Sequence, residues 1–174
     1  MFQLLCPYLM DIEHIAVIGS GQMGNGIAQV AACAGYNVTK VDIKQEYVDK
    51  GMETITRSLQ RLVSKERMSQ VDADQAVSRI QTSTDSVSCA NADLVVEAIP
   101  EIPELKFSTF SQLDSICKES TILATNTSSI SIDSIAASTN RPQNVIGMHF
   151  MNPVPIMKLV EVINGSETSN EVTS

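Results

Sequence analysis

Ile15-Ala16-Val17-Ile18-Gly19-Ser20-Gly21-Gln22-Met23-Gly24 carries a short β-branched run straight into a G-x-G-x-x-G loop. Beyond it, Met23, Ile27, Val30 and Ala34 recur at helical spacing as one apolar stripe, and Gly35 follows as a stop. A strand before the loop and a helix after it are the context that gives this short motif meaning. Gly19 permits a tight turn, Gly21 lets backbone approach a pyrophosphate, and Gly24 allows close helix–strand packing. The positive end of the helix and its free N–H groups then face an anion. Asp42 ends the next strand-like run, 18 residues beyond Gly24. A carboxylate there accepts hydrogen bonds from the adenosine ribose and repels a 2′-phosphate, which favours NAD over NADP. FAD sites share the fingerprint, and a glycine cluster that merely packs helix on strand is the bland alternative.

The alternation continues outward from the loop. Val38-Thr39-Lys40-Val41, Leu94-Val95-Val96 and Thr121-Ile122-Leu123-Ala124 are short and mostly β-branched, as in strands buried on both faces of a parallel sheet. Helices are predicted over about residues 45–65, then with Phe107, Phe110, Leu113 and Cys117 on one face, then from a Ser131 cap to Ala136. This order implies right-handed crossovers and an α/β, Rossmann-type, doubly wound, mostly parallel sheet. Residues 145–150 and 158–163 break the rhythm as two further strand-like runs. The link between them, Met151-Asn152-Pro153-Val154-Pro155-Ile156-Met157, contains two prolines, which forbid a helix and favour a turn, so a C-terminal antiparallel hairpin is expected. The organisation is an N-terminal extension over 1–11, one NAD-binding domain over 12–163, and a polar tail or truncated linker over 164–174.

A chain of 174 residues suits a single domain with a real core, and 43% hydrophobic with 18% charged residues excludes a disordered chain. Twelve basic against twenty acidic residues, a net charge of −8, argues against a non-specific nucleic-acid binder. No apolar run approaches the ~18 residues of a membrane span. Cys6, Cys33, Cys89 and Cys117 form no CxxC pair and are read as free or buried thiols, with neither a disulfide frame nor a metal site. No Lys or Arg precedes Lys40, which lacks the pattern of a mitochondrial presequence or a secretory signal, and Glu171-Val172-Thr173-Ser174 is no peroxisomal address. By elimination the expected location is cytoplasmic.

His149 and Glu161 lie six residues either side of Pro155. In a hairpin about that turn they face one another, where a carboxylate fixes the imidazole tautomer and stabilises the imidazolium formed when a proton is taken. Such a base suits removal of a hydroxyl proton while hydride leaves the same carbon. The competing reading is a surface histidine with an unrelated glutamate. Asn126-Thr127-Ser128-Ser129 follows the Thr121 strand at its carboxyl end, where ligands of open α/β sheets bind. Its hydroxyl and amide groups could bond a substrate oxygen, and Ser129 alternatively caps the next helix.

Together, IAVIGSGQMGNGIAQVAA, VDI, DLVVEAIPE, TNTSSISI and GMHFMNPVPIMKLVEVI closely resemble the N-terminal domain of L-3-hydroxyacyl-CoA dehydrogenases, over about residues 12 to 163. The resemblance implies an enzyme of fatty-acid β-oxidation that oxidises an L-3-hydroxyacyl-CoA to the 3-ketoacyl-CoA with NAD. It implies His149 as general base, Glu161 as its orienting carboxylate, Ser128 near both the substrate 3-oxygen and the nicotinamide, and Asn152 beside them. Gly19, Ser20, Gly21, Gln22, Met23, Gly24 and Asp42 match the dinucleotide contacts, and Glu101 and Lys106 match further cofactor contacts. Ser58 and Lys65, two helical turns apart, match positions that touch CoA, as does Ser128. Arg57, Arg61 and Arg67 lie nearby and would help a polyphosphate; the alternative for them is a solvated face. Members of the family, often mitochondrial, carry a second, all-helical domain that forms the dimer interface and closes the acyl-CoA cleft. Here the sequence stops soon after Ile163. Two expectations follow, a catalytic NAD-dependent part of such an enzyme or an NAD-binding module with little or no activity.

Overall fold

The computed structural model describes residues 12–174, so the expected extension and Cys6 fall outside the described residues. The β-branched run before the glycine loop forms β1 (His14–Ile18), which pairs in parallel with β2 (Asn37–Val41) on one side and β4 (Leu94–Glu97) on the other. The sheet extends past β2 to β3 (Ile80–Ser83) and past β4 through β5 (Ile122–Thr125), β6 (Val145–Phe150) and β7 (Val160–Asn164). Its order is β3-β2-β1-β4-β5-β6-β7, parallel except for the final antiparallel β6–β7 pair. The strand order reverses between β1 and β4, and ligands of such sheets bind at that switch point.

Alternate residues of one strand feed two separate cores, because successive side chains point to opposite faces. Ile15 and Val17 pack with α1 (Gln22–Cys33), α2 (Gln45–Ser64) and α3 (Gln70–Ser78), through Ile27, Ile55, Leu59 and Ala73. Ala16 and Ile18 pack with α4 (Pro103–Ile116) and α5 (Ile132–Ala136), through Phe110, Leu113 and Ile135. Helices on both faces make the sheet doubly wound, as expected.

The structure adds α3 and β3, which the apolar pattern misses. β3 is an edge strand with only Ile80 buried, so it carries no apolar run to detect. Its preceding helix does leave a signal in Ser69-Gln70-Val71-Asp72: Ser69 Oγ accepts from the Asp72 N–H at 3.0 Å and donates to the Asp72 carboxylate at 2.7 Å.

The expectation of a polar tail from Asn164 onward is corrected. Asn164 ends β7, and the residues after it are tied down rather than frayed. Ser166 N–H donates to Asp133 at 2.6 Å, Thr168 Oγ1 donates to the Val145 carbonyl at 2.7 Å, and Ser169 caps α6 (Asn170–Thr173). Val172 of that helix packs against the first core. Cys33, Cys89 and Cys117 are free thiols. Among the described residues, no helix is long and apolar enough to cross a membrane, and no group of three His, Cys, Asp or Glu side chains could hold a metal ion.

Candidate active site

The glycine loop is built by close approach of backbone. Gly19 sits at φ +108°, and a Cβ there would lie 2.5 Å from the Ala98 carbonyl oxygen. A Cβ on Gly24 would collide with the Gly19 carbonyl, so helix and loop touch only because both positions lack side chains. Gly21 has open space where its Cβ would point and caps α1 without any side-chain hydrogen bond, leaving its face free for a ligand. Asp42 closes the far end: Oδ2 accepts from the Ser20 N–H at 2.6 Å and Oδ1 from the Ile43 N–H at 2.7 Å. An open, anion-ready loop beside a carboxylate is of the kind that fits a dinucleotide such as NAD.

At the carboxyl ends of β4, β5 and β6 lies a cleft of about 390 Å³, lined by Met23, Ala98, Ile99, Glu101, Lys106, Asn126, Ser128, His149, Phe150, Met151 and Asn152. The hairpin forms in the expected register, with His149 directly opposite Glu161. His149 Nδ1 lies 2.8 Å from Glu161 Oε2. An ionised carboxylate only accepts, so Nδ1 carries the proton in that contact, and in the neutral ring Nε2 keeps the lone pair. Three contacts hold the hairpin over the loop. Asn126 Oδ1 accepts from the Phe150 N–H at 2.9 Å, and Gln22 Nε2 donates to Asn152 Oδ1 at 3.0 Å. Val154 is buried against Gly26, where an added Cβ would come within 2.7 Å of it.

Beneath the cleft runs a polar network centred on Glu97, a residue that the sequence reading passes over as the end of an apolar strand. Glu97 is fully buried and accepts from Lys106 Nζ and the Ile99 N–H at 2.7 Å each, and from Thr125 Oγ1 at 2.7 Å. Lys106, expected to face the cofactor, is 1% exposed and spends its protons on Glu97, Glu101 and the Ile99 carbonyl. It reaches the cleft as its wall, and Glu101 stands in front of it. Partial burial works against ionisation of Glu101, but the Thr127 hydroxyl, the Lys106 cation and Ser129 outweigh it and hold this carboxyl below its ordinary range. Ser129 is therefore a partner of Glu101, at 3.1 Å, and the cap of α5 is Ser131. Ser128 is left exposed at the cleft with its hydroxyl free of described protein partners.

Ser58 and Lys65 are not brought to the cleft. Ser58 is half-buried on α2, and Lys65 is exposed just past the end of that helix, at its C-cap. Arg57, Arg61 and Arg67 are all exposed.

A doubly wound sheet with a dinucleotide loop at its switch point and a carboxylate-held imidazole at the next strand ends defines an NAD-binding domain of dehydrogenase type. Residues 14–174 match the family described as 3-hydroxyacyl-CoA dehydrogenase, NAD binding domain. The chain belongs to the 3-hydroxyacyl-CoA dehydrogenase family. It is 49% identical over 162 residues to a probable 3-hydroxybutyryl-CoA dehydrogenase of Bacillus subtilis, covering 93% of this chain and 56% of that protein. It is 44% identical over 166 residues to the mitochondrial hydroxyacyl-coenzyme A dehydrogenase of Homo sapiens, covering 92% and 53%. The crystal structure of (S)-3-hydroxybutyryl-CoA dehydrogenase from Ralstonia eutropha superposes with a TM-score of 0.91 at 46% identity, over 93% of this chain and 57% of that one. The chain thus spans little more than half the length of these relatives.

Proposed function

We propose that this chain is the NAD-binding, base-bearing part of an enzyme that oxidises a short-chain L-3-hydroxyacyl-CoA to the 3-ketoacyl-CoA, as in fatty-acid β-oxidation. The observation that carries the reading is the His149–Glu161 contact at 2.8 Å on the wall of the cleft beside the glycine loop. His149 Nε2 takes the proton of the substrate 3-hydroxyl. Glu161 keeps the opposite nitrogen protonated and stabilises the imidazolium that results. Ser128 offers a hydroxyl donor to the same substrate oxygen as it becomes a carbonyl. NAD, when bound, supplies the hydride acceptor. Gln22 and Asn152 hold the loop and the base-bearing turn in one frame, so proton and hydride acceptors keep a fixed separation. The names of the relatives support a four-carbon acyl group as the first substrate to test. The exposed basic positions Arg57, Arg61 and Lys65 on and after α2 are the part of this chain suited to the CoA phosphates. A soluble acyl-CoA and a second copy of the full-length protein, as in family dimers, are the partners proposed.

The test is NADH absorbance with L-3-hydroxybutyryl-CoA, alongside calorimetric titration of NAD. NADH formation that disappears in H149Q supports the reading. NAD binding without turnover, even after the C-terminal half of a longer relative is added, leaves an NAD-binding module. Absent NAD binding defeats both.

A further inference from the structure

We infer that Lys40, buried next to the carboxyl end of β2, is a positioning residue for the dinucleotide: its ammonium holds Ser20 of the glycine loop from below and gives the pyrophosphate the cation that the loop itself lacks. The inference deepens the NAD-binding reading and rests on it. No Lys or Arg occurs in residues 19–24 or in α1.

Lys40 is 0% exposed, yet it belongs to none of the described ion pairs. A buried ammonium without a carboxylate partner is unfavourable, and such a group persists in a fold where something else uses its charge. Its described contact is a hydrogen bond donated to Ser20 Oγ. Ser20 is held at every polar atom: the hydroxyl by Lys40, the N–H by Asp42, and the carbonyl by Asn25 Nδ2 at 3.0 Å. Ser20 lies between Gly19 and Gly21, so fixing it sets the peptide plane that Gly21 presents to the phosphates. The chamber is closed by α2. A Cβ on Gly51 would clash with Lys40 Nζ and lie 2.6 Å from Asn25 Oδ1, which is the buried side-chain atom left without any partner among the described residues. Lys40 and Asn25 therefore share one buried space under the loop. Asp42 does not neutralise the lysine by contact, because its oxygens are taken by backbone N–H groups. In a low-dielectric interior a cation with no carboxylate in contact acts on a bound dianion over a longer range than it would in water.

Burial drives the Lys40 amine down to about 8, and the field of Asp42 works in the other direction. The remaining elements offer Val17 from β1, Thr82 from β3, Asn25 from α1 and Gly51 from α2, none of them ionisable. A bound pyrophosphate favours the protonated form, so NAD affinity is expected to fall as pH rises past that value.

Calorimetric titrations of wild type, K40M and S20A with NAD, ADP-ribose and adenosine at pH 7 and pH 9 test this. Wild type is expected to bind NAD and ADP-ribose several-fold more weakly at pH 9 than at pH 7. K40M should bind both about tenfold more weakly than wild type at pH 7, with no further change at pH 9 and unaltered adenosine affinity. S20A, which keeps the cation, should lose less and retain the pH dependence. A flat wild-type profile, or a K40M protein that loses adenosine as much as NAD, overturns the inference. A wild type that binds no NAD at either pH fails the functional reading instead.

Discussion

The two flanks of the sheet are built differently. On the nucleotide side β1, β4 and β5 are buried along nearly their whole length and Ser20 is held at every polar atom. On the other side β6 turns from buried to half-buried at Met148, and β7 is exposed beyond Val160. Leu159 and Val162 are 56% and 53% exposed, beside a Glu161 side chain that is 52% exposed. The nucleotide loop is thus fixed by packing on both faces of the sheet, whereas His149, the proposed base, rests on a hairpin supported on one. Binding of NAD should therefore be a property of this chain's own packing. The rate of proton removal should respond to whatever covers the hairpin, because water around a half-exposed pair screens its field.

The sharpest way to separate the flanks is H149Q. It removes the proposed base and leaves the loop untouched. The rate of NADH formation should fall by about a thousandfold, while the NAD dissociation constant by calorimetry stays within twofold. A large loss of NAD affinity would mean that the two flanks are one cooperative unit. G19A attacks the opposite flank. The residue would take φ +108° with its Cβ 2.5 Å from a backbone oxygen, so β1 and the Ala98 turn must part. A loss of roughly 2–3 kcal/mol in denaturant unfolding is expected, with NAD binding lost in parallel. Wild-type stability in G19A would show that the loop and the Ala98 turn can part without cost.

E161Q gives a smaller effect, because the amide still accepts from Nδ1–H but cannot balance an imidazolium. A rate loss of about ten- to thirtyfold is expected, against the larger loss in H149Q, with NAD affinity unchanged. Equal losses in the two variants would make the carboxylate as necessary as the base itself.

What could be read from residues alone follows the same division. β1, the loop, α1 and Asp42 are legible because glycine and β-branched residues there have no other use. The His149–Glu161 register is legible from symmetry about Pro155, since a hairpin leaves little choice of pairing. Glu97 and Lys40 were hidden inside Leu94-Val95-Val96-Glu97 and Val38-Thr39-Lys40-Val41, where the apolar neighbours say strand and nothing says which charge is enclosed. Enclosure depends on Thr125 and Lys106 for the one and on Ser20 and Gly51 for the other, partners far off in sequence. Ser58 and Lys65 lie apart from the cleft, and the sequence could not show this for the converse reason. Helical spacing places them near one face of α2, but spacing within a helix does not say whether that face borders the cleft.

The smallest effect is expected at the edge of the sheet remote from both flanks, at Asp93. Its Oδ2 accepts from the Glu13 and His14 N–H groups at 2.9 Å each, and Lys118 bonds its other oxygen. Burial raises its proton affinity, but the Lys118 hydrogen bond and the two backbone donors outweigh that and bring the carboxyl down to about 2. A carboxyl depressed in the folded state adds stability at pH values above its unfolded value of roughly 4. That contribution is lost as pH falls from there through about 2. D93N should therefore be about 1 kcal/mol less stable than wild type at pH 7, and the two should converge by pH 2. NAD affinity at pH 7 should not change. A D93N protein that binds NAD more weakly would couple the amino-terminal edge of the sheet to the loop at its opposite end, and the independence of the nucleotide flank would have to be given up.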